Sequence, residues 1–118
     1  MKKLIEWVEI PSADFERAVK FYSSLLGVTL DVHECESEKM ACLPGNEGAV
    51  VYADGYEPSR QGVVVSFNVG DGLDAAIRRV TEAGGEMVLP RTKIEAPGRD
   101  YFALFRDSEG NRMGLYGL

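Results

Sequence analysis

The sequence predicts an α+β fold: two βαβββ modules forming an open, cup-shaped mixed sheet with helices on the outer face. Two observations carry this expectation. Each half of the chain runs through one order of elements, a strand, a helix and then three short strand-like runs. The apolar residues of the two helices also recur at a common offset of 58, pairing Phe15 with Leu73, Ala18 with Ala76, Val19 with Ile77 and Gly27 with Gly85, which suggests internal duplication. A chain of 118 residues can bury one modest core, so it reads as a single domain, with module 1 over about 1–58 and module 2 over about 59–118.

The first strand is expected in LIEWVEI, where alternation sets Val8 and Ile10 on one face and Ile5, Trp7 and Glu9 on the other, before Pro11 ends it. SADFERAVKFYSSLLG follows as an amphipathic helix with a stripe of Phe15, Ala18, Val19, Tyr22, Leu25 and Leu26, stopped by Gly27. VTLDVHE, KMACLPG and GAVVYAD read as strands, and GYEPSRQG links the halves. In GVVVSFNVGD the residues Val63, Val65, Phe67 and Val69 share one face, which should pack beneath the second helix; Val64, Ser66 and Asn68 share the other. Asp71 is expected to cap that helix, whose stripe is Leu73, Ala76, Ile77 and Val80, and Gly84 and Gly85 end it. EMVLP, YFALFRD and NRMGLYG supply the last strands, with KIEAPGR as a loop and DSEG as a tight turn. If both sheets curve around one cavity, the faces left over by the helices line it.

Composition narrows the function classes. A net charge of −6 and scattered basic residues argue against nucleic acid as a partner. No apolar run approaches the roughly 20 residues of a membrane span, and Glu6 and Glu9 interrupt what would be the core of a signal peptide. The expected location is therefore the cytoplasm, where Cys35 and Cys42 stay reduced. His33, the sole histidine, adjoins Glu34 and Cys35, but neighbours on a strand point to opposite faces and make no metal corner.

Three stretches, EIPSADFERAVKFYSSLLG, FNVGDGLDAAIRRVTEAGGEMVLP and YFALFRDSEGNRMGLY, together resemble the vicinal oxygen chelate superfamily, which groups glyoxalase I, extradiol dioxygenases, fosfomycin-resistance and bleomycin-resistance proteins. The likeness spans nearly the whole chain. Within the superfamily it leans toward small glyoxalase-like proteins related to lactoylglutathione lyase. The resemblance implies a cup commonly completed by a second subunit, hence a homodimer. It also implies a divalent metal held by His, Gln or Glu on the first and last strand of each module, at positions that fall at about Trp7, Tyr52, Val64 and Gly114. Indole, valine and glycine offer a metal no side-chain lone pair and a neutral phenol is a poor donor, so no metal or other cofactor is expected in the family manner.

The cup face is then expected to hold Trp7, Glu9, Val50, Tyr52, Val64, Ser66, Asn68, Arg112 and Tyr116, aromatic walls with a few polar groups as in a small-molecule pocket. Glu9 is the candidate catalytic acid or base, unless an ion pair with Arg112 makes it structural. Trp7, Tyr52, Val64, Ser66, Asn68, Arg112 and Tyr116 are the candidate substrate-binding residues. Lys93, Arg99 and Tyr101, around the loop, offer donors to an anionic ligand, with an exposed, solvated loop as the equal alternative. The leading expectation is a protein binding a small organic molecule without the family's metal. The alternatives are a metal-dependent lyase or dioxygenase and a non-catalytic protein that sequesters a drug or metabolite.

Overall fold

The structure, a computed structural model, describes residues 4–118. The expected two-module plan is what the chain adopts. Module 1 comprises β1 (Val8–Pro11), α1 (Phe15–Leu26), β2 (Asp31–Glu34), β3 (Glu38–Cys42) and β4 (Gly48–Ala53). Module 2 comprises β5 (Ser66–Asn68), α2 (Leu73–Glu82), β6 (Glu86–Lys93), β7 (Tyr101–Arg106) and β8 (Arg112–Gly117). The sheets are ordered β1-β4-β3-β2 and β5-β8-β7-β6, and in each the first strand runs parallel to the last while the other pairs are antiparallel. Both sheets stay open.

Each helix forms because its apolar residues fall on one stripe, and each buries that stripe on its own sheet. Asp14 caps α1 by accepting the Arg17 N–H, and Gly27 closes it in the left-handed conformation. Phe15, Ala18, Tyr22 and Leu25 are buried as the periodicity requires, and Phe21, outside the expected stripe, is buried as well. The reason is a second contact surface: Phe21 and Tyr22 reach across to Phe105 and Phe67 of module 2, at ring separations of 6.2 and 5.8 Å. Both helices and both sheets thereby share one core, in which Ile10, Ala41 and Val50 join Leu73, Val80, Phe105 and Leu115. The matched glycines differ in purpose, since Gly85 is required for space: a Cβ there would lie 2.7 Å from the Arg106 carbonyl oxygen and 2.8 Å from the Phe21 ring.

Several local expectations are corrected. The first strand starts at Val8, so residues 4–7 lie outside it. Asp71 does not cap α2; Gly72 holds that position with no side-chain bond. β5 is only three residues long, and Val63 is 91% exposed instead of lying under α2, although Val65, Phe67 and Val69 do pack against the core. The cause is the linker. Arg112 N–H donates to the Ser59 carbonyl (3.2 Å) and Asn111 Oδ1 accepts the Ser59 N–H (3.0 Å), so residue 59 occupies the β8 edge where an extended β5 would pair.

The 107–111 turn does more than reverse the chain. Tyr22 donates its buried hydroxyl to Asp107 Oδ2 (2.5 Å), Asp107 accepts the Glu109 and Asn111 N–H groups, and Asn111 Nδ2 donates to the Pro11 carbonyl (2.8 Å). Glu109 accepts the Ala13 and Asp14 N–H groups at the start of α1 and a two-pronged contact from Arg17 (2.7 and 3.0 Å). Charged acceptors at a helix N-terminus are favoured by its exposed donors. Burial pushes the Tyr22 phenol well above its ordinary value, and the Asp107 charge adds to the effect. Burial also works to raise the Glu109 carboxyl, but the bonds from Arg17, Asp14, Ser108 and Ala13 outweigh it and hold the group below the usual range.

Two outcomes are expected. Tyr22→Phe leaves the shielded Asp107 short of a donor and should destabilise the fold by about 1–3 kcal/mol in denaturant melts, and ultraviolet titration of the native protein should show one tyrosine that ionises only on unfolding. A folded Glu109 value below the unfolded one, about 4.3, stabilises the protein above that pH and ceases to do so as pH falls through the lower folded value. Glu109→Gln should therefore lower stability at neutral pH and flatten its acid dependence, measured as melting temperature between neutral and acidic buffers.

Candidate functional site

Strand pairing decides which side chains share the sheet face turned away from α2. Ser66 lies opposite Gly114 and Asn68 opposite Tyr116, while Leu104 and Phe102 of β7 flank those same two residues. Leu115, Phe105 and Phe67, one residue away in each strand, point to the core instead. The structure thus brings together three of the expected residues, Ser66, Asn68 and Tyr116, in an open hollow of about 580 Å³ that is completed by Ile94, Arg99 and Phe102. Arg99 belongs to the loop set that the sequence offers to an anionic ligand, whereas Phe102 and Ile94 lie outside the expected cup face. The alternation of YFALF with the last strand would have shown Phe102, because it leaves Ala103 and Phe105 for the core.

The polar groups of this hollow are partly committed. The Asn68 Oδ1 accepts the Gly70 N–H (2.9 Å), so the amide NH₂ is the part of this side chain not used in that bond. The Tyr116 hydroxyl takes the Asp100 N–H (3.2 Å) and donates to Asp100 Oδ2 (3.4 Å), which fixes the ring as a wall. The Arg99 guanidinium sits 4.7 Å from the centre of that ring, a stacking that holds it over the hollow. Lys93 Nζ donates to the Arg99 carbonyl (2.6 Å) and pins the loop that carries it. Among the described residues, Arg99 is the sole charged side chain lining the hollow.

The remaining candidates lie elsewhere. Glu9 and Arg112 line a separate, smaller hollow of about 170 Å³, and no ion pair between them exists among the described residues. Glu9 is instead bound by the Tyr56 hydroxyl (2.9 Å) and the Trp7 indole N–H (3.3 Å), and this bond to Glu9 raises the Tyr56 phenol above its ordinary value. The structural partner foreseen for Glu9 is thus replaced by Tyr56, from the linker after β4. Tyr52 and Val50 fall on the α1 side of their sheet: Val50 is core, and Tyr52 lies beside Lys39 near the start of α1. A one-residue error in assigning β4 turns every side chain over, and the residues on its opposite face are Ala49, Val51 and Ala53. Val64 lies outside any strand and is partly exposed.

The donor set does not fit the metal that the resemblance implies. Trp7 spends its N–H on Glu9, and a Cβ at Gly114 would fall 2.3 Å from Ser66 Oγ, so Ser66 fills the space a ligand on β8 would need. Among the described residues no group of three or more His, Cys, Asp or Glu side chains is placed to hold an ion.

Two open βαβββ modules, with the hollow of module 2 on the sheet face opposite α2, make up a fold capable of ligand binding. The chain matches the Glyoxalase/Bleomycin resistance protein/Dioxygenase superfamily over residues 4–115 and belongs to that family. It is 34% identical over 120 residues to a glyoxylase-like domain-containing protein of Didymella fabae, covering 94% of this chain and 91% of that one. Its fold is similar to that of a glyoxalase/bleomycin resistance protein/dioxygenase family enzyme from Burkholderia phytofirmans PsJN, with a TM-score of 0.74 at 14% identity, covering 96% and 97% of the two chains. It is likewise similar to the fosfomycin resistance protein FosX from Mesorhizobium loti, with a TM-score of 0.68 at 20% identity, covering 100% and 93%.

Ser66 and Gly114 provide a test of this geometry. Gly114→Ala should destabilise the protein by about 1–3 kcal/mol through overpacking, while the same change in a Ser66→Gly background should cost little. A double-mutant cycle in chemical denaturation reads the difference as a coupling.

Proposed function

We propose that this protein binds a small organic molecule carrying an acidic oxygen group in the hollow of module 2, without a metal held in the family manner. The observation behind the reading is the Arg99 guanidinium, stacked on Tyr116 above a hollow whose other donors are the Asn68 amide and Ser66 hydroxyl. A planar guanidinium fits the two oxygens of a carboxylate or phosphonate, and Phe102 offers an apolar surface for the rest of the molecule. Lactoylglutathione-lyase chemistry and other metal-dependent reactions of relatives would need donors that Trp7, Tyr52, Val64 and Gly114 do not supply. Glu9, the candidate acid or base, lies in the separate hollow with Arg112 and not in that of module 2, so its chemistry would belong to a ligand bound there, with Tyr56 and Trp7 setting its orientation.

A homodimer belongs to the same proposal. Leu4, Ile5 and Val63 are 92%, 70% and 91% exposed, and Trp7 and Val64 are partly so. A second copy laid over these side chains would bury them and bring another wall to the cup. Light scattering should show twice the mass of one chain, and Val63→Asp should shift it to the monomer.

Binding is tested by calorimetric titration with a panel of small aromatic and aliphatic carboxylates. Arg99→Ala should weaken the best of them by about tenfold to a hundredfold, the loss of a charge-assisted pair, and Asn68→Ala by less, while Arg112→Ala leaves affinity unchanged. Equal affinity in Arg99→Ala and wild type would refute the reading.

A further inference from the structure

A second, differently built hollow lies between the modules, lined by residues of β1 and β5, each the end strand of its sheet. It measures about 460 Å³ and is walled by Val8, Ile10, Leu26, Val28, Leu43 and Phe67, so module 1 and module 2 both contribute. Ile10 at its inner wall is 3% exposed, which shows that the hollow reaches the shared core. An open hollow of this size, lined mostly by apolar side chains, falls within the range of small-molecule sites. One charged residue lines it, Glu47, whose carbonyl oxygen accepts the Val8 N–H (3.1 Å) and so fixes the residue at the module seam. Its carboxylate has no ion-pair partner among the described residues, in contrast to Glu86, Glu109 and Asp74, which meet Arg106, Arg17 and Arg91.

We infer that this seam is a binding site for a small amphiphilic cation, an aliphatic body buried between the modules with an ammonium group at Glu47. The charge decides the occupant. Among the described residues the seam carries one carboxylate and no basic group, whereas the hollow of module 2 carries Arg99 and no acidic one. The two hollows adjoin along β5, since Ser66 and Asn68 line both, yet their opposite charges select opposite ligands. The chain's charge of −6 adds a general attraction for cations that salt would screen. This site stands independently of the acid-binding proposal, because none of its apolar walls nor Glu47 lines the hollow of module 2.

The test uses straight-chain primary amines from butyl to octyl, with hexanoate and hexanol as controls, titrated by calorimetry into the full chain. Affinity should rise by about fourfold for each methylene until the seam is full, and hexylamine should bind about two- to fivefold more tightly than hexanol, as one partly exposed charge pair allows. Glu47→Gln should abolish the preference for the amine and keep the dependence on chain length. Leu43→Trp and Val28→Phe, each confirmed folded by circular dichroism, should reduce the chain-length dependence by filling the seam, and Arg99→Ala should change none of these values. No binding of any amine, hexanoate binding as tightly as hexylamine, an amine preference that survives Glu47→Gln, or a chain-length dependence untouched by both filling variants would each overturn the inference.

Discussion

The buried bond between Tyr22 and Asp107 is the contact on which the arrangement of the two modules depends. Each module alone is a four-stranded sheet with one helix, and nothing within a single module decides where the other must sit. Tyr22 leaves α1 to reach the turn between β7 and β8, and that turn returns to module 1 through Asn111 on the Pro11 carbonyl and Glu109 at the start of α1. The polar groups satisfy one another in a shielded setting, where leaving any one unpaired would be costly. Phe21 and Phe67 then pack around a joint whose position is already set.

This joint also shapes the sites. By holding Ser59 on the edge of β8, Asn111 keeps the chain before Ser66 out of the sheet, and so shortens β5 to three residues. A short β5 exposes Val63 and leaves the edge of module 2 apart from β1, which opens the seam lined by Val8, Ile10 and Phe67. On the face away from α2, Ser66 over Gly114 and the stacked pair of Arg99 and Tyr116 make a hollow with donors and no acidic group among its lining residues. Family membership accounts for the shape. Arg99 and Asn68, neither of them at an expected metal-ligand position, line that shape with a guanidinium and an amide.

Much of this was legible in the sequence. The duplicated helix stripes, the order of elements and the period-two pattern of β5 follow from local rules, because a helix or strand advertises its buried face through spacing alone. The same alternation placed Ser66, Asn68 and Tyr116 on one face, as the pairing of β5 with β8 shows. Tyr52 illustrates the limit: the GAVVYA run is apolar on both faces, so its alternation carries no phase, and only pairing with Ile10 and Ala41 shows that Val50 and Tyr52 face α1. Glu9 illustrates another. The sequence offers Arg112 as its partner, yet Tyr56 takes that place because the linker carries it there.

What the sequence by itself determined is the repeating pattern of buried faces, since hydrophobic periodicity is a property of neighbouring residues and needs no knowledge of the distant chain. It determined two modules, their helices and most of their strands. Tertiary structure alone decided how the modules meet and therefore which side chains share a hollow. DSEGN has the composition of an ordinary turn, and its role as the clasp between modules arises only because folding carries it to Tyr22, 85 residues away in the chain. The seam has no local signature for the same reason: it is a space between two elements, and its walls come from opposite halves of the sequence.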